Sequence, residues 1–155
     1  MNVEIINPFL NSMSNVLTTM AMLEPKAGKV LVKKDDVASG DVTGIIGMVG
    51  DNFKASMAIT FSKAVILEIT ARMLGESITE IDDTVTDMVG EITNMVTGGA
   101  KTQLADKGYD IGLATPVVVT GEGHQVAHKA HGPKIVIPFT IDAGNFYVEV
   151  CFEST

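Results

Sequence analysis

Three residues with chemistry to offer, Asp87, Glu91 and Asn94, recur at intervals of four and three along an otherwise apolar segment. At helical pitch Glu91 and Asn94 lie about 60° apart around the axis, and Asp87 falls between them, about 40° from Glu91. Val85, Met88, Val89, Ile92, Met95 and Val96 point roughly the other way, so the polar trio should face solvent or a partner. A carboxylate only accepts hydrogen bonds, whereas a carboxamide donates and accepts together. Held one turn apart on a rigid rod, Glu91 and Asn94 can act jointly on something outside the protein.

The rod is expected to be a long helix from Thr79 to Gly108, opened by Thr79 with Asp82 three residues on and closed by Gly108. Gly98-Gly99 interrupts it, at a cost of about 1 kcal/mol per glycine against alanine. Small residues one turn beyond Asn94 either admit a partner's backbone or mark a kink.

Other elements must hold that helix in place. Ile6, Leu10, Met13, Leu17 and Met20 form a helical stripe near the N-terminus, with Asn7 as cap, Pro8 in the first turn and Glu24-Pro25 and Gly28 as the stop. Strand-like runs cover Lys29 to Lys33, Val42 to Val49 and Phe53 to Phe61. Turns fall at Lys34-Asp35-Asp36, Ser39-Gly40-Asp41 and Gly50-Asp51-Asn52. Gly44 and Gly47 inside the second run suggest a bulge or a close backbone approach. Ser62 caps a second helix, Lys63 to Leu74, with Ala64, Leu67, Ala71 and Leu74 as its apolar stripe and Gly75 as its stop. Further strands are expected at Pro116 to Thr120, Lys134 to Ile141 and Asn145 to Phe152, with His124 to Ala130 reading as strand or loop and a hairpin at Asp142-Ala143-Gly144. This order predicts a single α+β domain over residues 1–155. Its mostly antiparallel sheet has about six strands and three helices, with the long helix packed on one face.

Composition narrows the possible partners. A formal net charge of −8 argues against nucleic acid and against an anionic membrane surface. Neither a signal peptide nor an apolar run of membrane-spanning length is apparent, so the expected location is cytoplasmic. The single cysteine, Cys151, excludes an internal disulfide and reads as a small buried hydrophobe. His124, His128 and His131 lack a supporting carboxylate or cysteine set and read as an exposed polar hairpin rather than a metal site. No serine lies in a Gly-x-Ser-x-Gly elbow, and no glycine-rich phosphate loop is present.

Pro116 follows Asn94 after twenty-one intervening residues, completing Asp-x3-Glu-x2-Asn-x21-Pro. The Glu-x-x-Asn string at Glu4 to Asn7 has no such context, since Lys29 stands where the proline would be. Around the motif run Leu-Glu-Pro-Lys-Ala-Gly-Lys from Leu23, Gly-Ile-Ile-Gly-Met-Val-Gly from Gly44 and Val-Gly-Glu-Ile-Thr-Asn-Met-Val-Thr-Gly-Gly from Val89. Together these resemble the CheC/CheX/FliY family of chemotaxis phosphatases over nearly the whole chain. The single motif matches the CheX branch, since CheC-type members carry two.

The resemblance implies an enzyme that dephosphorylates a phosphorylated chemotaxis-type response regulator, and it implies a homodimer. A regulator already supplies Mg²⁺, a lysine and the acyl phosphate, so no cofactor of the chain's own is expected. What is missing is an in-line water, which the Asn94 carboxamide can hold and aim, as a glutamine does in GTPases. Glu91 can pair with the regulator's lysine and lock the docking register. Asp87 either extends that contact or solvates the helix, Gly98 is a candidate contact with the substrate protein, and Pro116 is structural. The competing expectation is a non-catalytic CheX-like docking module; a small-molecule-binding domain has no convergent polar pocket in the sequence to support it.

Overall fold

The structure, a computed structural model, describes residues 3–33, 40–51, 53–121, 123–128 and 132–154. The expected turn at Lys34-Asp35-Asp36, together with Ser39, Asn52, Ala130 and His131, lies outside these residues. Three helices, α1 (Val3–Ala21), α2 (Lys63–Leu74) and α3 (Asp83–Ala105), cover one face of an antiparallel sheet. The strands are β1 (Lys26–Ala27), β2 (Leu31–Lys33), β3 (Val42–Val49), β4 (Phe53–Phe61), β5 (Gly112–Leu113), β6 (Val117–Thr120), β7 (Lys134–Ile141) and β8 (Gly144–Ser154). Their order is β1-β7-β8-β4-β3-β5, with β2 also on β7 and β6 also on β3. The α+β class and three helices match the expectation. Among the described residues the strands number eight rather than six, because β1 and β5 are two-residue pairings, too short to show alternation.

Period-two alternation sorts the sheet's faces. Met57, Ile59, Phe61, Ile137, Phe139, Phe146, Val148 and Val150 point at the helices and are fully buried. Phe146 stacks on both Phe61 and Phe139, with ring centroids 5.6 and 5.1 Å apart. β4, the central strand, is buried on both faces, because Val126 of the 123–128 segment packs over Ala58 and Ile45 on the side away from the helices. That segment is not a strand among the described residues. The hairpin expected at Asp142-Ala143-Gly144 forms, with Ile141 opposite Gly144.

Several helix expectations need correction. α1 runs from Val3, which places Pro8 inside it rather than at its first turn. Pro8 has no N–H for the Glu4 carbonyl, and Lys107 Nζ reaches that carbonyl at 3.4 Å instead. The buried stripe of α1 runs through Ile5, Ile6, Phe9, Met13, Leu17 and Ala21, while Met20 is exposed. α1 ends at Ala21, before Glu24-Pro25: Met22 turns left-handed (φ 55°), and the Leu23 N–H closes onto the Leu17 carbonyl.

In α2 the buried face is Val65, Ile66, Ile69 and Thr70, not the expected stripe; Ala64 and Leu74 are exposed. The helix is apolar nearly all round, so more than one stripe fits its spacing. Its caps are as expected, with Ser62 Oγ accepting from the Val65 N–H and Gly75 left-handed.

Candidate functional site

α3 is shorter than Thr79–Gly108. Asp82, not Thr79, is its N-cap: Oδ1 accepts the Val85 N–H at 3.1 Å. At the other end the helix stops at Ala105, and Gly108 (φ 91°) reverses the chain so that the Tyr109 N–H meets the Leu104 carbonyl. Between these ends the helix runs unbroken through Gly98-Gly99.

One face of α3 is locked down. Val85, Val89, Ile92, Val96, Ala100 and Leu104 are buried in the core. Thr93 Oγ1 donates to the Val89 carbonyl at 2.7 Å, and Thr97 Oγ1 donates to the Thr93 carbonyl. From α1, Ser12 Oγ donates to the Val96 carbonyl at 2.6 Å. The two glycines expected to be special near Asn94 differ in kind. A side chain on Gly99 would meet Ser12 Oγ at 2.3 Å, so this glycine lets α1 approach; one on Gly98 would meet nothing within 4 Å. Beneath the helix, Gly44 of β3 gives the close approach expected of it, without a bulge: β3 and β4 stay in register from Val42 to Val49.

The opposite face carries Asp87, Glu91 and Asn94, all three exposed. Among the described residues no hydrogen bond or ion pair engages these three side chains. Pro116 is half-buried and directly precedes β6, whose Val118 lies 3.7 Å from where a side chain on Gly90 would begin. The structure thus brings Asp87, Glu91, Asn94 and Gly98 onto one helix surface. It sets Pro116 at the start of the strand packed beside that helix. This face is geometrically able to present an amide and a carboxylate, one turn apart, to the surface of another molecule.

The two described histidines, His124 and His128, are more enclosed than expected. His128 is buried rather than exposed: its Nδ1 meets Ser56 Oγ, and its Nε2 lies 3.3 Å from Glu149 Oε1. Glu149 Oε2 in turn pairs with Lys33 Nζ at 2.9 Å. Burial is the largest influence on the Glu149 carboxyl and pushes its pKa up, but hydrogen bonds and charge from His128 and Lys33 outweigh it and hold the group below the ordinary glutamate value. His124 bonds Thr43 and the Gly121 carbonyl. No group of three or more His, Cys, Asp or Glu among the described residues is arranged to hold a metal ion. Cys151 is buried as expected, its thiol donating to the Gly132 carbonyl and pushed up chiefly by burial. The sequence reading missed the Ser56–His128–Glu149 cluster, because in an alternating strand Glu149 has the parity of a solvent-facing residue. Among the described residues no helix is long and apolar enough to cross a membrane.

Known proteins share this fold. The family described as chemotaxis phosphatase CheX matches residues 42–140, a span that holds Asp87, Glu91, Asn94, Gly98 and Pro116. The CheY-P phosphatase CheX of Thermotoga maritima is 23% identical over 142 residues, covering 91% of this chain and 90% of that protein. The crystal structure of the chemotaxis protein CheX from Vibrio vulnificus superposes with a TM-score of 0.91 at 55% identity, over 97% of this chain and 99% of that one. The fold is shared, too, by the Borrelia burgdorferi CheX solved with CheY, BeF₃ and Mg²⁺: TM-score 0.83, 24% identity, 99% of this chain and 100% of that one. On the matched span and the fold, the chain belongs to the CheX family of chemotaxis phosphatases.

Proposed function

We propose that this protein hydrolyses the aspartyl phosphate of a chemotaxis-type response regulator, with Asn94 and Glu91 as the working pair. The observation that carries the reading is their exposure, free of partners, on a helix whose other face is fixed by buried contacts. Neither side chain is needed by the fold, and both are held at a set spacing.

Phosphoryl transfer asks for positioning and charge stabilisation more than covalent help. In this reading the Asn94 carboxamide accepts from a water and donates to the phosphoryl group, aligning the water with the scissile bond. The water oxygen bonds to phosphorus as the bond to the regulator's aspartate breaks. Alignment of this kind lowers the barrier by roughly several kcal/mol. Glu91 pairs with the regulator's lysine and sets the register, Asp87 extends that contact, and Gly98 leaves room for the docked backbone. The Mg²⁺ belongs to the substrate. The relatives support this choice of substrate: one is named a CheY-P phosphatase, and another was solved bound to CheY. The protein acts in the cytoplasm as a homodimer, and light scattering on the purified chain tests that assembly.

The deciding experiment follows phosphate release from a phosphorylated CheY-type regulator with Mg²⁺ present. Asn94→Ala should lower the stimulated rate by about a hundredfold or more while leaving the circular dichroism unchanged. Glu91→Ala, and more so Glu91→Lys, should chiefly weaken binding. Wild-type rates in both variants would overturn the mechanism. Regulator binding by the wild-type chain without added hydrolysis would make it a docking module instead.

A further inference from the structure

The sheet face turned away from the helices carries a second constellation. Ser56 of β4, His128 of the 123–128 segment and Glu149 of β8 form a continuous hydrogen-bonded line, backed by Lys33 of β2. The side chains of His128, Glu149 and Lys33 are only 1%, 3% and 11% exposed. An ionised Glu149 can only accept, so His128 Nε2 must carry the proton between them. In the neutral ring Nδ1 is then a bare lone pair, and the Ser56 hydroxyl is the donor toward it. With the ring in that neutral form, the polarity of the line runs from serine to imidazole to carboxylate, which is the arrangement that activates a serine oxygen.

Ser56, itself only 3% exposed, borders a cleft of about 620 Å³, a volume suited to a small ligand. Its other walls include Ile45, Val49, Leu113 and Val117, with Lys54 as its cation. Lys54 and Ser56 have the same parity on β4 and so share a sheet face, about 7 Å apart. The backbone groups of β4 are committed to β3 and β8 on either side, which leaves the Lys54 ammonium as the group able to steady a developing oxyanion.

We propose that this cleft is a second hydrolytic site, in which Ser56 attacks small esters whose apolar acyl group lies against Ile45, Val49 and Val117. The Ser56 proton passes to His128 Nδ1 as Oγ bonds to the carbonyl carbon. The ester C–O bond then breaks, and the departing alcohol takes the proton from His128. Water repeats the sequence on the acyl-serine, releasing the carboxylic acid and restoring the hydroxyl. Glu149 is a positioning residue, holding the imidazole in the required tautomer.

Treating the intact chain with an alkyl fluorophosphonate and mapping the adduct by mass spectrometry tests this, alongside release of p-nitrophenol from p-nitrophenyl butyrate. One adduct on Ser56 is expected, with ester turnover about tenfold or more above that of Ser56→Ala. Glu149→Gln should lose labelling, and Glu149→Asp should recover part of it. The wild-type adduct map stands even if a variant fails to fold. No adduct, an adduct on Lys54 or elsewhere, or equal ester turnover in a folded Ser56→Ala would overturn the proposal and leave the cluster as a clamp for the 123–128 segment.

Discussion

Thr93 of α3 sits directly over Gly44 of β3: a methyl group on Gly44 would lie 2.1 Å from Thr93 Oγ1 and 3.1 Å from Val89 Cγ1. Only a glycine lets the motif helix rest this low on the sheet, and Thr93 lies between Glu91 and Asn94 in sequence. Gly44→Ala should therefore lift or rotate that turn and cost about 1–3 kcal/mol, the range for overpacking a core. Adding Thr93→Ala removes the nearest atom, although Val89 remains close. Urea denaturation of the two single variants and the double variant should reveal a favourable coupling of about 1 kcal/mol. Strict additivity would mean that the two residues do not share this contact.

Gly98 and Gly99 are neighbours in sequence with opposite expected responses. A side chain on Gly98 enters open space, so Gly98→Ala should stabilise the helix by roughly 0.5–1 kcal/mol. The same change at Gly99 drives a methyl group into Ser12 Oγ, which itself holds the Val96 carbonyl, and should destabilise. Gly98→Arg should keep the fold yet obstruct docking on the Asn94 face. Thermal melts give the first comparison, and regulator binding the second. A Gly98→Arg variant with full affinity would remove Gly98 from the docking surface.

How much of this could be read in the sequence depended on how regular each signal was. α3 was clear because its buried and polar residues separate at a 3.6-residue period, and β3, β4, β7 and β8 because each alternates or runs apolar between turn signals. α2 was misread in orientation: Ala64, Val65, Ile66, Leu67, Ile69, Ala71 and Leu74 are apolar on almost every side, so periodicity could not choose the face. The burial of His128 was invisible for a different reason. It depends on a segment without regular structure folding across Ser56 and Glu149, residues distant in sequence. The motif residues stood out by spacing and type, but the contacts that seat them, Gly44 under Thr93 and Ser12 beside Gly99, are tertiary.

Pro116 ends the motif at the start of the strand beside the helix. It precedes β6, whose Val118 packs under Gly90, and is itself half-buried. Pro116→Ala frees the unfolded chain and loosens the entry to β6, so a modest loss of about 0.5–1 kcal/mol is expected. The maximal hydrolysis rate with a phosphorylated regulator should stay within about twofold of wild type, since positioning of the water does not involve this residue. A drop as deep as that of Asn94→Ala would assign Pro116 a part in the reaction.

Glu149 should make the protein acid-sensitive in a defined direction. Its folded-state pKa lies below the ordinary value, so its stabilising contribution is complete above the unfolded pKa, about 4.3, and disappears as pH falls through the lower folded value. Protonation leaves Lys33, largely buried, facing a neutral partner. Glu149→Gln imposes that loss at every pH and should cost roughly 3 kcal/mol, the scale for breaking a buried ion pair from one side. Replacing Lys33 by Met in the same chain removes the stranded charge and should recover part of the deficit. Denaturation midpoints from pH 3 to pH 7 give the test. The wild type should weaken steeply below about pH 4, whereas the Gln variant starts lower and follows a shallower acid slope. Parallel curves would mean that Glu149 contributes nothing to the acid limb.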